Sequence, residues 1–202
     1  MDNSPMDREL VLSNIYLKAV LPLLEDIVEF DPEAKEIVKG WKCSIMFSVS
    51  GGPGSTLVFR NGSCSALRRK VALPSIGLFF TQAASLNRMF AGENVIPIIW
   101  GLWHPVVLQK FIGLTKKIEY YMQPSDELIQ DKTVFPFLVE LMLYAAVFGA
   151  CEVAQNDSHV KDVAAATPDA SLLIKIGDGP RAGIVKHDGV FSAYKGDLGT
   201  EP

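Results

Sequence analysis

The side chains that could do chemistry are few, and their spacing assembles no reaction. His104, His159 and His187 lie far apart with no metal-ligand spacing, and His104 stands at a helix start between Trp103 and Pro105. Cys43, Cys64 and Cys151 are odd in number and form no Cys-x-x-Cys. That pattern suits neither a disulfide framework nor a metal site, and it fits a reducing compartment. There is no Gly-x-Ser-x-Gly, no His-Glu-x-x-His and no Lys-Ser/Thr after a glycine loop. Gly177-Asp-Gly-Pro-Arg-Ala-Gly183 looks like a phosphate loop, but strand-forming residues follow it. No helix N-terminus is on offer for phosphate there, and a hairpin turn is the better reading. Glu25, Asp26 and Glu29 read as one solvated helix face. With no nucleophile, base and orienter together, no enzyme, metal or cofactor is expected.

Composition bounds the rest. The chain has 202 residues, 49% hydrophobic and 21% charged, which is globular stock able to bury a substantial core. A net charge of −4 argues against a nucleic-acid partner. Its dense basic cluster, Arg68-Arg69-Lys70, is too small for a phosphate backbone and reads as a solvated loop. The polar N-terminus has no charged-then-apolar leader, so the cytoplasm is the expected location, and the sequons at Asn61 and Asn156 carry no weight there. Val134–Cys151 holds a single charge, Glu140, and reaches the length of a membrane span. Pro136, the small residues Ala145, Ala146, Gly149 and Ala150, and the lack of flanking basic residues favour a buried helix over a span or membrane-surface helix.

These residues must be positioned by elements that the pattern places as follows. Leu10, Leu17, Leu21, Leu24 and Val28 give a helix over 7–30 one apolar stripe, with a kink expected at Pro22. Asp31-Pro32 has the form of an N-cap and first helical residue. Strands are expected at 44–50, 55–60, 63–67, 76–80 and 95–100, the last pushed to an edge or bulge by Pro97. Asn61-Gly62 predicts a type I′ hairpin turn. Helices are expected over 82–90, ending at Gly92, and from Pro105, with Phe111 and Ile118 inward and Lys110, Lys116, Lys117 and Glu119 outward. Beyond Pro124 come a helix over 133–155, a short helix capped by Asp157, and strands at 171–176, 183–187 and 190–194.

That second series matches the first. A shift of 127 sets Ser44–Ala66 on Ser171–Ala193 without a gap, with Gly52/Gly179, Pro53/Pro180, Val58/Val185 and Gly62/Gly189 identical. With one change of register, Asp31 falls on Asp157 and Lys35 on Lys161. This reads as a duplication whose second copy stops before a fourth strand, so it cannot close a core alone. The expected units are 1–124 and 125–202. A homodimer completing the unfinished copy is expected, with the 1–124 fragment folded and more monomeric.

Phe47-Ser-Val-Ser-Gly-Gly-Pro53, Leu57-Val-Phe-Arg-Asn-Gly-Ser-Cys64, Leu86-Asn-Arg-Met-Phe-Ala-Gly92 and Ile96–Gly101, in that order, resemble the sterol carrier protein 2 domain. The likeness covers roughly 10–122, and 133–194 in part. It implies an α+β fold, a five-stranded mixed sheet covered by helices, with a partial repeat (helix plus three-strand meander) at the C-terminus. The family's short helix before the last strand is missing here, since Glu93-Asn94 alone intervenes, and that section shapes the family's ligand tunnel.

The resemblance places a ligand wall where apolar residues crowd: Phe79, Phe80, Leu86, Met89, Phe90, Ile96, Ile98, Trp100, Trp103, Val107, Leu108, Phe111 and Ile112. Aromatics and methionine suit a pliable pocket, although core packing explains any one of them as well. The expected function is non-catalytic binding or carriage of a lipid-like molecule (fatty acid, fatty acyl-CoA or sterol-like), compatible with peripheral membrane contact. The alternative is a protein-interaction and oligomerisation module whose apolar surface another chain fills.

Overall fold

A computed structural model describes residues 5–101 and 105–197, so Trp103 and His104 lie outside the described residues. The chain opens with a helical run: α1 (Pro5–Ile15), a π-helical turn (Tyr16–Val20), a 3-10 turn (Leu21–Leu23) and α2 (Leu24–Phe30). The irregular middle has a covalent cause. Pro22 has no N–H for the Lys18 carbonyl, so the ladder widens before it and tightens at it. Asp31 then caps α3 (Pro32–Ile37), its Oδ1 accepting from Glu33 N at 2.8 Å and Ala34 N at 3.2 Å.

Four strands follow, β1 (Lys42–Val49), β2 (Gly54–Arg60), β3 (Ser63–Leu67) and β4 (Ile76–Phe80), and then α4 (Ala83–Phe90). Asn61 and Gly62 both have positive φ (51° and 90°), as a type I′ turn requires. Pro97 shortens the expected fifth strand to β5 (Ile98–Trp100). The sheet order is β3-β2-β1-β4-β5, mixed because β1 and β4 run parallel. Ile45, Phe47, Val49, Leu57, Phe59 and Phe80 form its buried inner side. There α5 (Pro105–Met122) brings Phe111, with ring centroids 5.9 Å from Phe47 and 6.3 Å from Phe59. The 68–75 connection is fastened to the sheet by Thr56 Oγ1 donating to Arg69 O at 3.0 Å and by reciprocal bonds between Ser44 and Ser75.

After a short helix without sequence periodicity, α6 (Asp126–Gln130), comes α7 (Phe135–Asn156), whose buried residues include Phe137, Leu141, Tyr144, Val147 and Phe148. It is long and apolar enough to cross a membrane by composition, yet more than half of that stretch is buried in the protein. α7 packs against α1 and the π turn, and on its other side against a second sheet. That sheet is β6 (Ala170–Lys175), β7 (Arg181–His187) and β8 (Val190–Lys195), in that order, preceded by α8 (Ser158–Ala165) with its Asp157 cap.

The two meanders share one register. Ser44 pairs with Val58 and Ser171 with Val185; Leu57 pairs with Ala66 and Ile184 with Ala193, each shifted by 127. Their first turns carry the same bonds: Val49 N to Pro53 O (3.0 Å) and Ile176 N to Pro180 O (3.1 Å). Asp188 and Gly189 repeat the positive φ pair (49° and 76°). The buried core is continuous, joining Leu17 and Leu21, α7, and Ala182 of β7.

Candidate functional site

The thirteen apolar candidates divide into three groups. Phe80, Leu86 and Phe111 are fully inside the core. Phe79, Met89, Phe90, Val107 and Leu108 are half-buried, Phe90 stacking on Tyr16 of the π-helical turn at 4.8 Å. Ile96, Ile98, Trp100 and Ile112 are exposed, and Trp103 is outside the described residues. Val106, which the sequence reading passed over, is exposed as well. β4 and β5 hold part of this set in register: Phe79 pairs with Ile98 and Gly77 with Trp100. The Trp100 indole occupies the space above Gly77, where a Cβ would lie 1.0 Å from Nε1. Gly101, at φ +81°, then turns the chain so closely past Ser75 that a Cβ would meet its carbonyl oxygen at 2.1 Å. Strand β5 therefore carries Ile98 and Trp100 as exposed apolar side chains at an edge of the sheet. Two surface depressions of about 290 and 450 Å³ lie elsewhere, beside Gly51–Pro53 and across Lys42–Ser44 and Val58–Asn61.

Charged groups expected in solvent instead hold elements together. Arg68 is half-buried, its guanidinium 4.2 Å from the Phe148 ring centre, and its Nε donates to the Lys18 carbonyl at 2.9 Å. That carbonyl is the acceptor left over by Pro22. Burial pulls the Arg68 pKa below the ordinary arginine value, with Glu25 and Glu152 opposing. Lys70 donates to Val49 O at 3.0 Å and lies over Gly54. Two members of the basic cluster are thus structural ties, Arg68 half-buried and Lys70 at the surface, with partners from other parts of the chain. The acidic face of α2 is corrected in the same way. Glu25 accepts from the Ala66 N–H on β3, and Asp26 pairs with Lys195 of β8 at 2.6 Å, while Glu29 is exposed as expected.

Lys117 does not point outward. It contacts Asp31 Oδ2 at 2.9 Å and Glu33 Oε2 at 2.6 Å, and Tyr121 OH donates to Asp31 at 3.0 Å. Burial works against the Asp31 carboxylate, but Lys117, the Ala34 and Glu33 N–H groups and Tyr121 outweigh it and hold its pKa below the usual value. The same burial, with Asp31 as hydrogen-bond partner, pushes the Tyr121 phenol up.

His187 finds neighbours that no sequence spacing announced. Antiparallel pairing of β6 with β7 brings it to Asp169, and with the adjacent Asp188 the three offer ligand atoms within 4.8 Å of one another. All three are exposed. Asp169 accepts from Asp188 N at 3.1 Å and lies 3.0 Å from His187 Nδ1, bonds that tie the residue before β6 to the β7–β8 turn. The three cysteines are free, and burial raises each thiol pKa above the ordinary value.

No protein-family model matches the chain. No curated protein matches it. Among solved structures, one described as "UbiJ-SCP2 Ubiquinone synthesis protein" is similar at 16% identity, over 49% of this chain and 94% of its own, with a TM-score of 0.33. At that score the likeness assigns neither fold nor ligand.

Proposed function

We propose that the chain binds and carries a lipid-like hydrophobic molecule without transforming it. The observation that supports this reading is the apolar exposure in and just before β5 and on α5: Ile96, Ile98, Trp100, Val106 and Ile112 are large, apolar and open to solvent. Phe79 of β4, which pairs with Ile98, and Val107 and Leu108 of α5 are half-buried. Each buried CH₂ contributes about 0.8 kcal/mol, so an acyl chain of about ten carbons gains useful affinity without a charged contact. The same open side chains would touch a membrane surface while ligand is exchanged.

The test is mass spectrometry of an organic extract of the purified protein, joined to a fatty-acid titration read by tryptophan emission. A co-purified lipid and an emission change that Trp100→Phe removes are expected. A clean extract with no binding overturns the reading. A second reading, a protein-interaction module, rests on a separate element, the exposed strand β6.

A further inference from the structure

Strand β6 is an edge unlike the others. β3 has Glu25 accepting from its Ala66 N–H, and β8 has Gln155 of α7 donating to its Phe191 carbonyl at 2.6 Å. β5 is three residues long and follows Pro97. These are the devices by which proteins close strand edges to other chains. β6 has six residues, all exposed, and among the described residues nothing pairs with its outer side.

The first sheet shows what such a strand looks like when its unit is complete. There β1 holds Ile45, Phe47 and Val49 at 0%, 2% and 1% exposure, with β4 on its outer edge. Their counterparts 127 residues on, Leu172, Ile174 and Ile176, stand at 57%, 38% and 42%. Leu172 pairs with Ile184 and Ile174 with Ala182, both in contact with the core, so the uncovered stripe lies on the α7 side of the sheet. Leu173, on the opposite face, is exposed too.

We infer that β6 is a self-pairing edge, joining antiparallel to β6 of a second copy across a two-fold axis at Leu173. The pattern of the strand fits itself in that register. Leu172 faces Ile174 of the second copy, and the two apolar stripes merge into one surface on the α7 side. Leu173 meets its own equivalent on the other face. Lys175 faces Ser171 and lies diagonally next to Asp169, so the two-fold sets two lysines beside two carboxylates and opposes no like charges. The result is one six-stranded antiparallel sheet with no open β6 edge. This inference is independent of the lipid reading, since it uses neither β5 nor α5.

Sedimentation of the full 202-residue chain from about 1 to about 100 μM tests it, because a dimer shifts with concentration by mass action. A dimer is expected, and Leu173→Lys, which sets two ammonium groups opposite each other, should weaken it by at least about tenfold. Far-UV circular dichroism of that variant should be unchanged. Leu173→Cys should form a covalent dimer on mild oxidation where the parent chain does not, a result that does not depend on the lysine variant folding. A parent chain that stays monomeric at the highest concentration overturns the inference. So does a dimer that Leu173→Lys leaves unchanged and Leu173→Cys fails to trap.

Discussion

At the scale of single residues, Asp31 does two jobs that substitution can separate. Its Oδ1 caps α3 and its Oδ2 receives Lys117 and Tyr121 from α5. Asp31→Ala removes both, and the expected loss is about 2–3 kcal/mol, a cap near 1 and the rest from stranding the partners. Asp31→Asn keeps a cap, so about half of that loss is expected. The pH dependence has a definite sign. The native carboxylate titrates below its ordinary value, so its contribution is complete above that value, about pH 4, and fades as pH falls through the lowered native one. Urea melts from about pH 3 to 7 should show the parent and Asp31→Asn converging at the acid end. Parallel curves would mean that the charge is not what Lys117 contributes to. Gly101 gives a second residue-scale expectation. A methyl group there meets both a positive φ and the Ser75 carbonyl, so Gly101→Ala should cost about 2 kcal/mol or more in a chemical melt. Gly77→Ala should act differently, displacing the half-exposed Trp100 ring and red-shifting its emission with a smaller loss of stability.

Between elements, the ties are charged side chains reaching across the chain, and they mark where sequence reading ends. The β2–β3 turn was legible because two adjacent positive φ values admit few residues, and Asn61-Gly62 is one such pair. The Asp31 cap was legible because capping is local. β5 was half legible: its apolar residues announce a strand, and Pro97 sets where it begins. α6, at five residues, is too short for a period to show. The apolar set that includes Trp100 was named among the candidates, but its division into core and surface depends on the turn of α5 against β1 and β2, which no spacing records. Arg68 was legible only as a charge. Its partners, the Lys18 carbonyl and the Phe148 ring, lie 50 and 80 residues away by the numbering. Arg68→Lys keeps the charge and loses the planar stack and the Nε bond, so a loss of about 1–3 kcal/mol is expected. Equal melting temperatures for the two proteins would show that the charge alone matters. Lys18–Glu152 at 3.3 Å is the control, since its removal should cost less than the Arg68 change.

Across the whole molecule, the question is whether residues 1–124 can stand without the rest. Their register and turns match the second meander, which favours two units of one design. Burial points the other way. Leu17, Leu21 and Leu23 have essentially no exposed surface, and α7 packs along the π turn that carries Leu17. Phe137 stacks on Phe30 at 3.8 Å and meets Tyr121 edge-on at 5.3 Å, so α7 also seals the joint between α2 and α5. Arg68 would lose the ring it sits on, and Lys18 its carboxylate. Each large apolar side chain returned to water costs about 1.5–3 kcal/mol, and several such losses equal the whole stability of a small domain. A fragment ending at Pro124 is therefore expected to melt well below the intact chain and to self-associate through the bared helix face. Thermal melting followed by circular dichroism, with sedimentation of the same samples, checks this. A fragment that melts sharply at the parent temperature as a monomer would show that α7 is an addition to a finished fold and not part of its core.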